Sequence, residues 1–215
     1  MIKPFIIILL IFMVFGAGYY LYNKPKVSKY DTKEIEAYKE PYQAPLINPE
    51  AIIINKKDLE LKLFPQAKYI ISARILHRKK YQDGWASKIS PLDLVLGWGD
   101  ISKPEMFNEF KFRQITRWYS FRYKSQNSQP LSMNYVASHS SNHHIIPATE
   151  NIAKALIFVK KSDLIELDGY LVNVIGKYKG AKAAWHSSLS RLDTGSRSCE
   201  VMYVKKLKVG TKVYK

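Results

Sequence analysis

The chain has 215 residues, 47% of them hydrophobic and 13% aromatic, with 34 basic side chains against 18 acidic ones. That apolar fraction excludes an intrinsically disordered protein, and the length suits one domain that can bury a core without staples. A single cysteine excludes both an intramolecular disulfide and a thiolate zinc site; with no His-Glu-x-x-His spacing, carboxylate-rich triad or nucleotide fingerprint in the chain, neither a metal nor another cofactor is expected.

The charge is unevenly spread. Residues 1–50 carry six lysines against five acids, so nearly all of the net charge of +16 falls on residues 51–215. A domain this basic is drawn to anionic surfaces such as lipid headgroups, nucleic acid or acidic polymers. The basic residues are scattered, and the densest group, Arg78-Lys79-Lys80, is too short to specify a ligand. Plain solubilising charge is the competing reading.

Residues 5–22 form an uncharged run in which eleven side chains are Ile, Leu, Phe or Val. At about 1.5 Å per residue the run spans roughly 27 Å as a helix, close to the hydrocarbon thickness of about 30 Å. Each of those side chains favours insertion by about 0.3–0.6 kcal/mol, and no charge opposes them. The expectation is an N-terminal transmembrane helix over residues 1–22, with Tyr19, Tyr20 and Tyr22 at the interface. A cleaved signal peptide is the rival, through the small pair Gly16 and Gly18, but bulky tyrosines follow it directly. Lysines flank both ends. A short N-terminal tail before a signal-like segment favours single-pass insertion in a bacterial inner membrane, with the domain in the periplasm.

Residues 23–50 read as a juxtamembrane linker. Pro25, Pro41, Pro45 and Pro49 punctuate a polar stretch, which predicts extended, loosely packed chain with at most one helical turn over residues 33–39.

From residue 51 to 215 the pattern is mainly β. Leu59, Leu61 and Leu63 alternate with polar residues until Pro65, and Lys68–Tyr81 places Tyr69, Ile71, Ala73 and Ile75 on one face. Pro91–Leu96 suggests a helical turn in a loop-rich stretch. Lys111–Lys124 alternates again and reads as one strand. Thr149 is a candidate N-cap for a helix carrying Ile152, Ala155, Leu156 and Val159 at helical spacing, closed by Lys160 and Lys161. Strand-like runs follow at residues 169–177, 183–189 and 199–209. The fold expected is α+β, mainly β: a twisted sheet or a small barrel like the oligonucleotide/oligosaccharide-binding (OB) type, with one prominent helix.

Three segments concentrate chemistry-bearing residues. Residues 138–148 hold His139, Asn142, His143 and His144. Histidine titrates near neutrality and serves in acid–base chemistry, but neighbouring residues in a strand point to opposite faces, and a polar loop with one hydrogen-bonded histidine is the plainer reading. Residues 185–200 hold Ser188, Arg191, Asp193 and Cys199, a set rich in nucleophiles, while Asp193-Thr194-Gly195 also reads simply as a turn. Residues 90–100 hold Trp98 between two glycines, and Arg117-Trp118-Tyr119 follows at a distance. Arginine beside aromatic rings can stack on bases or sugars, and core packing is the alternative. No Walker A, Gly-x-Gly-x-x-Gly or Gly-x-Ser-x-Gly sequence is present.

The segments at residues 90–99, 142–148 and 185–195, the last leading to Cys199-Glu200, together resemble uncharacterised single-pass bacterial membrane proteins. The resemblance spans most of residues 67–209. It implies one bacterial domain on a membrane anchor, and supplies no activity and no functional residue.

The leading expectation is thus a membrane-anchored, non-enzymatic domain that binds a protein partner or an anionic envelope component, with Asn142, Trp98, Arg117 and Trp118 as candidate binding residues. A hydrolase is the second, with His143, His144, Ser188, Arg191, Asp193 and Cys199 as candidates, and it requires the two polar segments to converge. A nucleic-acid-binding barrel is the third. Residues 5–22 would have the lipid bilayer itself as partner.

Overall fold

The computed structural model describes residues 24–190 and 199–215, together with Leu9, residues 11–16, Gly18 and Tyr22, which are helical. The expected anchor lies largely outside the described residues; among those described, no helix is long and apolar enough to cross a membrane.

Among the described residues the architecture is mainly β, built on a ten-stranded mixed sheet. Its longest member, β4 (Leu59–Lys80), buries alternate residues for most of its length, as a period of two requires. The sequence suggested a break at Pro65, yet the strand runs through it. The register against β9 (Leu164–Tyr178) shifts between Pro65 and Ala67, and this irregularity accommodates a residue with no N–H to donate.

Two further expectations are corrected. Residues 92–97 are not a helical turn but strand β5 (Leu92–Gly97), buried at every position. Residues 138–148 are not a polar loop: a short helix ends at Ser138, and β8 (Ser140–Pro147) is buried almost throughout. Both strands lie between neighbours with both faces covered, which removes the alternation that marks a half-exposed strand. β5 pairs antiparallel with β4 and with β8. β8 runs parallel to β11 (Glu200–Val209), which pairs antiparallel with β9, and β9 returns to β4. The ladder β4-β5-β8-β11-β9 therefore closes on itself. Gly169 permits one close crossing, since a Cβ there would lie 1.9 Å from the carbonyl oxygen of Tyr203.

The inward face of this ring carries Tyr69, Ile71, Leu94, Ile145, Leu167 and Met202 in one buried cluster. Helix α4 (Glu150–Phe158) adds Ile152, Ala155 and Leu156 to that cluster, each large aliphatic side chain contributing about 1.5–3 kcal/mol on burial. Thr149 caps α4 as expected, its hydroxyl accepting from the amide of Ile152 at 3.2 Å. The helix ends at Phe158, so Lys160 and Lys161 follow it rather than lie within it.

The connection from β5 to β8 carries a 3-10 turn (Gly99–Ser102), α2 (Pro104–Phe107), the hairpin β6 (Phe110–Ile115) and β7 (Trp118–Tyr123), and α3 (Met133–Ser138); α1 (Gly84–Ser87) precedes β5. The single strand expected over residues 111–124 is this hairpin. Its two-residue turn, Thr116 and Arg117, has φ of 46° and 67°. Such turns need the left-handed region at both positions, where Asn and Gly are the usual residues, so the sequence carried no turn signal.

The linker is more ordered than its prolines suggest. β1 (Lys29–Tyr30) pairs with β12 (Lys212–Tyr214), and β2 (Tyr42–Pro45) pairs with β4. Ile35 and Ala37 are buried. The carbonyl of Ala37 accepts from the amide of Gly99, whose φ of +66° needs glycine.

Candidate functional site

Strand geometry builds the floor of the site. Leu92 and Leu94 face the interior, so Asp93 between them faces out. Register places Asp93 opposite His144 and Val95 opposite Asn142. On the other side of β8, Glu200 pairs with His143, which brings Cys199 alongside Asn142. One outward face thus carries Asp93, Asn142, His144 and Cys199, drawn from three strands.

Two elements wall it. The β6–β7 turn brings Arg117 and Trp118, and β10 (Ala181–Trp185) brings Trp185 and the following His186. The cleft they enclose has a volume of about 300 Å³ and is lined by His144, Cys199 and these four residues, with Ala184. That is the lower end of the range for small-molecule sites.

Its electrostatic centre is Asp93, which is 0% exposed. An isolated carboxylate cannot remain charged in such a place; the Arg117 guanidinium answers it, and the His144 imidazole lies on its other oxygen. Arg117 Nη1 donates to Asp93 Oδ1 at 2.8 Å, and Nη2 donates to the carbonyl of Ser90 at 2.9 Å. His144 Nδ1 lies 2.9 Å from Asp93 Oδ2, an ion-pair distance at which the N–H is not aligned for a hydrogen bond. The His144 ring leans on Trp185, with centroids 4.4 Å apart.

Arg117 is held on every side. Its guanidinium lies 4.3 Å from the ring centroid of Tyr81 and 5.0 Å from that of Trp185, and its amide donates to the Tyr81 hydroxyl. These contacts offset the strain of a non-glycine residue at φ 67°. Burial, and then the charge of Asp93, raise the pKa of the Tyr81 hydroxyl, so it stays protonated.

A second network ends at the thiol. His77 Nδ1 and Gln114 Oε1 are 2.8 Å apart, and Gln114 Nε2 donates to Asn142 Oδ1 at 2.6 Å. Asn142 Nδ2 then donates to the carbonyl of Arg117 at 2.8 Å and approaches Cys199 Sγ at 3.8 Å. Because Gln114 Oε1 is an acceptor, the proton on His77 belongs to Nδ1. The Asn142 amide is fixed from both ends.

Of the residues singled out from sequence, Asn142, His144, Cys199, Arg117 and Trp118 come together here, Trp118 at the rim with 43% exposure. Four others do not. His143 points the opposite way, into the ring, where Tyr69 Oη is 3.4 Å from Nε2 and Ser141 Oγ 3.3 Å from Nδ1. Burial lowers its pKa to about 3, so it is neutral there. Trp98 is a core residue, its Nε1 donating to Glu40. Ser188 is buried in the chain turn before Ser190, donating to that residue's carbonyl and accepting from its amide. His139 stacks on Tyr135 and faces Glu40. Arg191 and Asp193 lie outside the described residues.

Sequence reasoning missed Asp93, Gln114, His77, Tyr81 and Trp185. One signal was available. A carboxylate inside the run Leu92-Asp93-Leu94-Val95-Leu96 demands a cationic partner if that run is buried. The other four depend on long-range packing and had no local signature.

Cys199 and His144 line the same cleft, and the Cys199 thiol lies 3.9 Å from the carbonyl oxygen of Arg117, to which it can donate. With Nδ1 turned to Asp93, the His144 ring stands on the lining of the cleft. Among the described residues, no three His, Cys, Asp or Glu side chains are grouped to hold a metal ion. No family model, curated protein or solved structure matches the chain.

Proposed function

We propose that the closed ladder is an OB-type barrel whose outer cleft houses a cysteine hydrolase site. The strand order supports the first part. An OB barrel runs 1-2-3-5-4-1 with a parallel 3–5 pair and a helix between strands 3 and 4; β4, β5, β8, β9 and β11 and α4 fill those places in order. The cleft then lies on the face of strands 2 and 3, beside the connection between strands 4 and 5, where barrels of this type take ligands. That correspondence is analogy of position and carries no chemistry.

One observation carries the enzymatic reading. Asp93 of β5, His144 of β8 and Cys199, which leads into β11, share one outward face, and His144 and Cys199 line one cleft with Asp93 buried behind them. In the reaction proposed, His144 Nε2 takes the Cys199 proton and the thiolate attacks a carbonyl carbon. The leaving group departs with that proton, leaving a thioester, and water then releases the acid and restores the thiol. Asp93, 2.9 Å from Nδ1 but not hydrogen-bonded to it, stabilises the imidazolium electrostatically as it forms. The fixed charge of Arg117 on the same carboxylate limits its pull on the ring.

Iodoacetamide tests this on the full chain without a known substrate. Cys199 is expected to alkylate at pH 6 at least tenfold faster than free cysteine, and His144→Gln to remove that advantage. A rate equal to free cysteine, or one unmoved by His144→Gln, would overturn the proposal.

The setting proposed is a bacterial inner membrane, anchored through residues 5–22, with the domain in the periplasm. Recovery of the intact chain in alkali-washed vesicles checks it.

Binding without chemistry is the second reading, of a protein or an anionic envelope polymer, favoured by the excess of basic residues outside the cleft. Cys199→Ala separates the two, since a pure binding site keeps its ligand. Nucleic acid is the weakest partner: Trp185 already packs against His144 and the Arg117 guanidinium, leaving Trp118 as the ring at the rim.

A further inference from the structure

A second cleft, of about 380 Å³, opens between the end of β4, the starts of β5 and α4, and the end of β8. Leu92, Ile145, Leu156 and Ile157 give it an apolar wall. Arg78, Lys80 and Lys154 stand on the same lining. The combination is unusual for a surface that only excludes water, because a cation beside hydrocarbon loses hydration and gains nothing in return.

Arg78 makes the point sharpest. Its Nε and Nη2 are buried and have no hydrogen-bond partner among the described residues. Asp163 attracts it electrostatically without bonding to it. Glu150, the acidic residue on the lining, is solvent-exposed and pairs with Lys154 Nζ at 3.1 Å. Arg78 thus lines the cleft with a guanidinium two of whose donors no described residue satisfies, and an anion on it supplies the missing negative charge.

The neighbourhood points to the anion's other half. Lys154 Nζ donates to the carbonyl of Tyr22 at 2.9 Å and stands 4.4 Å from the centroid of its ring. The edge of the cleft therefore touches the end of the apolar N-terminal run, beside the exposed side chains of Ile157 and Phe158.

We propose that this cleft binds an anionic lipid, its phosphate on Arg78 and Lys80 and its acyl chain along Leu92, Ile145 and Leu156. The site depends neither on Cys199 nor on the cleft described above.

Native mass spectrometry of the full chain released from neutral detergent tests it, with three probes at equal concentration. Dihexanoylphosphatidic acid is expected to give a single saturable adduct. Dihexanoylphosphatidylcholine, which keeps the chains but adds a cation, and glycerol 3-phosphate, which keeps the phosphate but lacks chains, are each expected to bind at least tenfold more weakly. Arg78→Met is expected to weaken the first adduct tenfold or more. Ile157→Glu, at an exposed position that folding does not require, is expected to weaken it severalfold. Equal binding of glycerol 3-phosphate would mean a phosphate site without a lipid, and equal binding of the choline lipid an apolar groove without a charge requirement. Either result, no saturable adduct, or indifference to both substitutions would overturn the proposal.

Discussion

Arg117 and Asp93, 24 positions apart, meet at 2.8 Å where the β6–β7 turn folds over the outer face of β5. The carboxylate is wholly buried and the guanidinium is largely so, packed between Tyr81 and Trp185. This pair fastens the hairpin to the ring and forms one wall of the thiol cleft.

Removing one partner strands the other charge. Arg117→Met is expected to destabilise the domain by about 3–5 kcal/mol, far beyond the median for an exposed pair. Adding Asp93→Asn to that variant removes the orphaned charge and is expected to restore part of the loss. Urea midpoints of the two single variants and the double variant measure it; simple additivity would show that the pair does not couple.

The turn itself is strained at Thr116, a β-branched residue at φ 46°. Thr116→Gly is expected to raise stability by about 0.5–1 kcal/mol, since glycine adopts this region without a Cβ clash. A lower melting temperature in calorimetry would mean that the threonine side chain contributes more than its backbone costs.

Acid weakens the fold through His143. Its pKa falls from 6.5 to about 3 on burial, so below pH 6.5 the unfolded chain takes up a proton that the folded chain refuses until about pH 3. The unfolded state then binds more protons, and stability drops as pH falls through that window, by up to about 1.4 kcal/mol per unit. His143→Gln is expected to flatten the slope of urea midpoint against pH between 6 and 4. An unchanged slope would assign the acid sensitivity elsewhere.

Gln114 links His77 to Asn142 in a buried setting. Gln114→Leu leaves the Asn142 carbonyl oxygen without its 2.6 Å donor, at an expected cost of about 1–3 kcal/mol. It also frees the Asn142 amide to rotate away from Cys199. A shift in the alkylation rate of Cys199, beyond what the stability loss explains, distinguishes a positioning role from simple packing.

Much of the fold was legible locally. Tyr69, Ile71, Ala73 and Ile75 announced the face of β4, and Thr149 with Ile152, Ala155 and Leu156 announced α4, because both periodicities are written in a dozen neighbouring residues. The candidate site was legible only as parts. Asn142, His144, Cys199, Arg117 and Trp118 stood out by residue type, but Asp93 was hidden in an apolar run, and the turn that carries Arg117 over it lacks the usual turn residues.

Composition, charge distribution, the apolar N-terminal run and the outlines of β4 and α4 are properties of the chain that no packing is needed to read. The meeting of Asp93 with His144, of Cys199 with Asn142, and of Arg117 with all of them was decided by strand register. Which edge pairs with which, and one residue up or down, is a global choice made by burial on both faces of β5 and β8. Burial on both faces also removes the alternation by which a strand reveals its orientation.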